Sequence, residues 1–324
     1  MINSTSYKFK IIYEMISKED NLLTVVMLCN IAGVSKSGYY NWVASEERRL
    51  DKEEQDRKDF DLILEAYNYK GYNKGARSIY MHLLHKEPPI VMNIKKIRRL
   101  MKKYHLFCPI RKANPYRRMA KALRTNNVAD NLLERKFKEY GPRKVLLTDI
   151  TYLPYNETFC YLSTILDAYT KEVLSYVLSE SLEIDFVLLT VEQLVEKHGI
   201  TLTQETLVHS DQGCHYTSYS FIQILKDKEL RQSMSRKGNC WDNAPQESFF
   251  GHMKDEIDIS KCKTFLEVKE IIDNWIYYYN NERYQWDLAK LSPVEYYRFV
   301  TTGEYPIKTG TSKNCDYAEK TSWQ

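Results

Sequence analysis

Three acidic residues in three different settings carry the chemistry open to this sequence. Asp149 stands inside the apolar run VLLTDITY at 145–152, and Asp211 ends a second apolar run, TLVHSD, at 206–211. Glu247 lies in a stretch, 244–257, that has helical spacing, and 35 residues lie between it and Asp211. Carboxylates at strand ends and on a neighbouring helix can converge on one point and hold two divalent ions. Two such ions clamp both the attacking and the leaving oxygen of a phosphodiester. The chemistry in question is the cutting and joining of nucleic acid.

Each acid has a physical reason to be considered. An unpaired charge among the neighbours of Asp149 costs several kcal/mol, so it needs a metal, a cation or a proton. Asp211 precedes Gln212 and Gly213, where the chain must turn, and strand ends of this kind favour ligand sites. For Glu247, Asn243 reads as the N-cap of a helix, with Gln246 three residues on and Pro245 in the first turn. Phe250, Met253 and Ile257 then form a core-facing stripe. Glu247, Gly251 and Lys254 form a second stripe beside it, because seven residues bring a helix almost back to the same face. On this geometry Glu247 completes a metal site, Lys254 reaches a substrate phosphate, and Gly251 leaves room for a duplex. Taken singly, each acid also has an ordinary reading as a cap, a surface charge or half of an ion pair.

The elements that must position these residues follow from periodicity. Runs at 144–152, 159–166 and 172–178 read as an antiparallel three-strand meander. A helix at 185–198, a strand at 205–210, a helix at 219–230, a short strand at 231–235 and helices at 244–257 and 265–283 complete a mixed α/β domain. Upstream the texture is helical. Residues 25–42 have the spacing of a helix-turn-helix, with Gly33 after the first helix and Ser35 capping the second. The second helix offers Lys36, Ser37 and Asn41 to a major groove, although a hairpin packing only on its own domain has the same pattern. Gly38 is a poor residue for that helix.

Between Ile90 and Arg124 the sequence carries twelve Lys or Arg and no Asp or Glu. Within it, Ile94, Ile97, Leu100 and Met101 form an apolar stripe. Lys95, Lys96, Arg98, Arg99, Lys102 and Lys103 cover the rest, an arrangement suited to a phosphate backbone. From Pro109 to about Asn127 periodicity is lost, and the segment reads as a basic linker that orders on DNA. The expected organisation is a helix-turn-helix region at 1–55, a second basic helical region at 56–113, a linker at 114–138, a catalytic core at 139–300 and an irregular tail at 301–324. The 324 residues suffice for that plan, and the net charge of +4 by itself says nothing about partners. Seven scattered cysteines without a C-x-x-C pair argue against a disulfide framework or a zinc site and for a reducing, cytoplasmic setting. No apolar run is long enough to span a bilayer, which takes about 18 residues or more.

The motifs together resemble the DDE transposases and the retroviral-type integrase core. More narrowly, they resemble the transposase encoded by the second reading frame of two-frame bacterial insertion sequences. The matching blocks are TDITY at 148–152, LDAYT at 166–170, HSDQG at 209–213, SMSRKGNCWDNA at 233–244, ESFFG at 247–251, YYNNER at 278–283 and LSPVE at 291–295. Upstream, SGYY at 37–40 and the helical region 71–106 also fit, so the likeness covers about nine tenths of the chain. Two departures, Leu146-Leu147 where a tryptophan is common and Leu174-Ser175 where a glycine is common, touch no acid.

The resemblance implies a ribonuclease-H-like core with a mixed sheet and flanking helices, preceded by an all-α helix-turn-helix DNA-binding region. It implies Asp149, Asp211 and Glu247 as a triad holding two Mg²⁺ or Mn²⁺ ions, with Lys254 as the basic residue that follows. It implies double-stranded DNA as partner, both terminal inverted repeats and target, and a homo-oligomer that joins two ends. The family's upstream frame adds another helix-turn-helix and a leucine zipper, neither recognisable here. The expectation is therefore one translation product, or the downstream part of a fusion, with an upstream-frame protein as a partner.

Several further residues have two readings. Asp167, a fourth acid near the site, suggests the four-carboxylate arrangement of ribonuclease H, against a structural role or a support to the ligands, and His209 reads as a hydrogen-bond partner rather than a ligand. Trp241 and Tyr277 to Tyr279 read as core rather than as a base-stacking surface. Arg236 and Lys237 read as DNA contacts or plain surface charge. Two rival functions stand beside the transposase: a nuclease that cleaves without joining, and a DNA-binding regulator or partner subunit inactive without the upstream product.

Overall fold

A computed structural model describes residues 4–72, 74–109, 140–235 and 243–308. The chain divides into two compact units, Met1–Glu65 and Ala66–Gln324. The linker 114–138, Arg236, Lys237 and Trp241 lie outside the described residues, as does the tail from 309 onward.

The first unit is helical. Helix α1 (Thr5–Ile16) starts at Ser4, whose hydroxyl accepts the Tyr7 N–H. Helix α2 (Val25–Ala32) starts at Thr24 in the same way and stops at Gly33, which is left-handed at φ 64°. Ser35 then caps α3 (Lys36–Ala44), so the turn has the geometry expected of a helix-turn-helix. Phe9, Ile12, Leu28, Cys29 and Tyr39 form the unit's core. Gly38 is explained by that core, since a Cβ there would meet the Phe9 ring at 3.0 Å and the Ser35 hydroxyl at 2.7 Å. Close approach outweighs the roughly 1 kcal/mol that glycine costs a helix. Helix α4 (Glu46–Asn68) runs on from this unit into the next, so residue 55 lies within a helix.

The second unit begins with α5 (Ala76–Leu84) and α6 (Ile94–Lys103), the latter capped by Asn93. Ile79, Leu83, Ile97 and Leu100 are fully buried. The α/β part follows, with β1 (Val145–Tyr155), β2 (Thr158–Asp167) and β3 (Val173–Ser179) forming the expected meander. Helix α7 (Asp185–His198), β4 (Leu207–Ser210), α8 (Tyr219–Asp227) and β5 (Arg231–Met234) come next. Helices α9 (Ala244–Glu256), α10 (Phe265–Asn281) and α11 (Pro293–Thr302) end the unit.

The sheet order is β3-β2-β1-β4-β5, with β4 and β5 parallel to β1 and the meander antiparallel. Alternation along β1 splits the core in two. Val145, Leu147, Leu153 and Tyr155 face Phe249, Met253, Ile272 and Trp275 of α9 and α10. Leu146 faces the opposite layer, with Val187, Val191, Phe221 and Leu225 of α7 and α8. This is the ribonuclease-H-like architecture, a mixed sheet between helices.

Two sequence expectations are corrected. Asn243 occupies the N-cap of α9 but makes no side-chain cap bond, so the expected capping box does not form. Helix α11 falls where the sequence reading places no helix, although Ser292-Pro293-Val294-Glu295 is a capping box with proline in the first turn, and both of its reciprocal hydrogen bonds are present.

Candidate active site

Asp149 lies in the middle of the sheet, on the central strand. Its Oδ1 accepts the N–H of Ile150 at 2.8 Å. Alternation puts its side chain on the α9 face, with Leu147 and Leu153. The parallel register pairs Leu147 with His209. Two residues further along the chain come Asp149 and, just past the end of β4, Asp211, whose charge acts on Asp149. Asp211 is exposed there, and its Oδ1 accepts the Gly213 N–H at 2.8 Å, which closes the turn.

Glu247 sits exposed in the first turn of α9, with Lys254 exposed two turns later. Phe250 and Met253 are buried in the core stripe, as expected. Gln246, which precedes Glu247, is buried and donates through Nε2 to Thr164 Oγ1 on β2. Thr164 is the register partner of Asp149. The glutamate's helix is thereby tied to the strand position beside the first aspartate.

The electrostatics show the groups acting on one another. Burial pushes the Asp149 carboxyl up to about 8, and the negative charge of Asp211 pushes in the same direction. Glu247 adds a smaller push, while the Ile150 N–H and the Lys254 ammonium pull the other way. Among the described residues no three His, Cys, Asp or Glu side chains already stand close enough together to hold a metal ion. The donor set nonetheless fits a hard divalent cation, being carboxylates, and such a charge would relieve the repulsion that Asp211 and Glu247 exert on Asp149.

The other candidates separate by role. Asp167 is not part of this site. It pairs with Leu146 in the β1–β2 register, away from Asp149, and is fully buried. Its oxygens accept from the N–H and Nη1 of Arg143, the N–H of Tyr169 and the hydroxyl of Thr170. Arg143 Nη2 also reaches Glu172 at 2.7 Å, making a buried ion cluster that anchors the strand ends. No local sequence signal announces Arg143, because its partners lie more than 20 residues away. His209 is buried, with Nδ1 2.9 Å from the Ser233 hydroxyl. Tyr278 and Tyr279 are core, whereas Tyr277 is exposed.

Of the candidate DNA contacts, Lys36, Ser37 and Asn41 are exposed on α3. Lys95, Arg98, Arg99, Lys102 and Lys103 are exposed on α6, and Lys96 is half-buried. Gly251 is exposed too, and a Cβ added there would meet no atom of the described residues within 4 Å. Packing among the described residues does not require glycine at that position.

Comparisons with known proteins agree on one family. Residues 139–240 and 228–293 match the integrase core domain, and residues 54–114 match an HTH-like domain. A 31 kDa protein of insertion element IS600 from Shigella sonnei is 32% identical over 272 residues, 83% of this chain and 97% of its own length. A transposase-like protein of Haemophilus influenzae is 36% identical, over 64% of this chain and 94% of its own. The transposase InsF for insertion sequence IS3A of Escherichia coli is 29% identical, over 75% of this chain and 83% of its own. Among the described residues no helix is long and apolar enough to cross a membrane.

Proposed function

This chain belongs to the insertion-element transposases with an integrase core, and on that premise we propose that Asp149, Asp211 and Glu247 are its catalytic triad. The observation that carries the assignment is the charge coupling at Asp149, whose carboxyl is held up to about 8 by burial and by the other two acids. A half-buried acid raised by two more acids in a polynucleotidyl transferase is a site built to receive positive charge.

The three carboxylates would hold two Mg²⁺ or Mn²⁺ ions. When bound, these supply Lewis-acid neutralisation at the attacking and leaving oxygens. The chain's own residues do the rest. Asp149, on the rigid central strand, and Asp211, on the turn after its neighbour, fix the floor of the site. Glu247 closes it from α9. Lys254, on the same stripe of that helix, places its ammonium against the substrate phosphate. Two displacements use this geometry in turn. Water breaks a phosphodiester at the element's end and leaves a 3′-hydroxyl. That hydroxyl then attacks a phosphodiester of the target, forming one bond as another breaks.

The helical part supplies binding. Lys36, Ser37 and Asn41 on α3 and the basic face of α6 are read as contacts to the terminal repeats, and Arg236 and Lys237 as further DNA contacts. Joining two ends calls for a multimer on DNA. Replacing both Arg98 and Lys102 by Gln is expected to weaken duplex binding and flatten its salt dependence. The slope of log K against log salt falls by about 0.9 for each phosphate that the protein no longer neutralises. An unchanged slope in a filter-binding titration would remove α6 from the interface.

Gly251 gives a second check. Gly251→Ala is expected to stabilise the protein by roughly 1 kcal/mol, while lowering cleavage because the added methyl stands where the duplex approaches. A stabilised variant with full cleavage would show that DNA does not come that close. The reaction class itself is tested with a duplex carrying the element's ends and a plasmid target. Mg²⁺-dependent products that include joined molecules support the reading. Cleavage without joining identifies a nuclease, and binding without either identifies a regulator.

A further inference from the structure

We infer that Gln246 and Thr164 are a positioning pair that sets where Glu247 stands relative to Asp149, an inference that rests on the triad proposed above. Gln246 and Thr164 are both fully buried. Gln246 Nε2 donates to Thr164 Oγ1, bridging α9 and β2. Thr164 is paired with Asp149 across β1 and β2. Residues paired in this way project from the same side of the sheet, with Cβ atoms about 4.5–5.5 Å apart. Gln246 immediately precedes Glu247 in the first turn of α9. One side-chain hydrogen bond therefore connects the neighbour of the glutamate to the neighbour of the aspartate.

The other directional contacts of α9 lie at its far end, where Glu256 accepts from Trp275 Nε1 and pairs with Arg283. Phe249, Phe250 and Met253 hold the helix against the sheet through apolar contacts, which are non-directional. The N-cap residue, Asn243, makes no side-chain bond to the first turn. A hydrogen bond has preferred distance and angle, so this one sets the rotation and axial position of α9 at the end that carries Glu247. The choice of residue points the same way. Among the described residues Gln246 Oε1 has no partner, a cost that Leu or Met at this position would avoid. A buried amide kept at that cost, one residue from Glu247, fits a geometric role better than a packing role. Mg²⁺ tolerates little error, since it demands near-octahedral oxygen ligands at about 2.0–2.1 Å.

The test uses the full chain with Thr164→Val, Thr164→Ser and Gln246→Met, alongside Asp149→Asn and Glu247→Gln. Mn²⁺ affinity is read without DNA, from the paramagnetic resonance of free Mn²⁺, and Mg²⁺-dependent cleavage is measured in parallel. Thr164→Val and Gln246→Met are expected to weaken Mn²⁺ binding about 10–100-fold and to lower kcat while leaving duplex affinity unchanged. Thr164→Ser, which keeps the hydroxyl, is expected to stay within about threefold of wild type. Val191→Ala, in the opposite core layer, serves as the stability control, with a lower melting temperature and unaltered Mn²⁺ affinity. Wild-type Mn²⁺ affinity in the Val and Met variants would overturn the pair, as would Ser failing as badly as Val. If Asp149→Asn and Glu247→Gln lose Mn²⁺ while Val and Met do not, only the pair falls. If Glu247→Gln binds Mn²⁺ as wild type does, the triad falls and the pair with it.

Discussion

Asp149→Asn is expected to abolish cleavage and joining while making the metal-free protein more stable at alkaline pH. The catalytic loss follows from the removed ligand. Divalent ions at such a site supply several kcal/mol of charge stabilisation, and each 1.36 kcal/mol is tenfold in rate, so a drop of about a thousandfold or more is expected. The stability gain follows from linkage. In the folded, metal-free chain the Asp149 carboxyl is held up to about 8 by burial, Asp211 and Glu247. In the unfolded chain it titrates near the ordinary value of about 3.9. The folded form therefore binds the proton more tightly, and its stability falls as pH rises from the unfolded value to the folded one. Asparagine carries no such penalty. Melting in EDTA at pH 6 and pH 9 should show wild type losing more stability than the variant across that interval. Parallel behaviour would mean that Asp149 is not strained by its neighbours. Catalysis and stability thus pull in opposite directions at this residue, as expected where a functional site stores unfavourable charge.

The second large effect is expected far from the chemistry. Arg143→Met leaves Asp167 and Glu172, both buried, without the guanidinium that bridges them at 3.2 and 2.7 Å. Removing one partner of a buried ion cluster costs about 3–5 kcal/mol. Stacking of the same guanidinium on the Tyr297 ring, 4.1 Å away, disappears with it. Burial pushes the Asp167 carboxyl up and Arg143 pulls it down. Without the arginine the pull is gone, so the folded variant holds that proton to higher pH than the unfolded chain does. The loss should therefore be smallest at low pH and grow as pH rises. Urea unfolding at two pH values checks both size and sign, and a loss below about 1 kcal/mol would show that the cluster behaves as a surface pair.

The positions of the acids were legible because alternation and helical spacing are local. The helix expected at 185–198 is observed as Asp185–His198, and the meander and the helix of Glu247 differ from expectation by a few residues at most. Deviations come where a local pattern meets a tertiary demand. Strand β4 begins at Leu207, two residues later than expected, and just before it the Thr206 hydroxyl donates to the Arg143 carbonyl. Helix α8 stops at Asp227, before the left-handed Glu229 turns the chain into β5.

What spacing could not show was long-range pairing. The sequence pattern makes Gln246 a capping residue, but its partner is Thr164, 82 residues away on another strand. The alignment of Asp149 with Asp211 depends on β4 lying parallel to β1, which neither strand reveals alone. Asp167 looks like a fourth ligand candidate because it is an acid at a strand end. Four donors, two of them on Arg143, account for it instead.

The most direct measurement of the catalytic assignment is Mg²⁺-dependent cleavage and strand transfer on duplex DNA bearing the element's ends, comparing the wild-type chain with Glu247→Gln. Products from the wild type that vanish in the variant, with duplex binding retained, are expected if Glu247 completes the site with Asp149 and Asp211. Cleavage and joining that survive the substitution would contradict it.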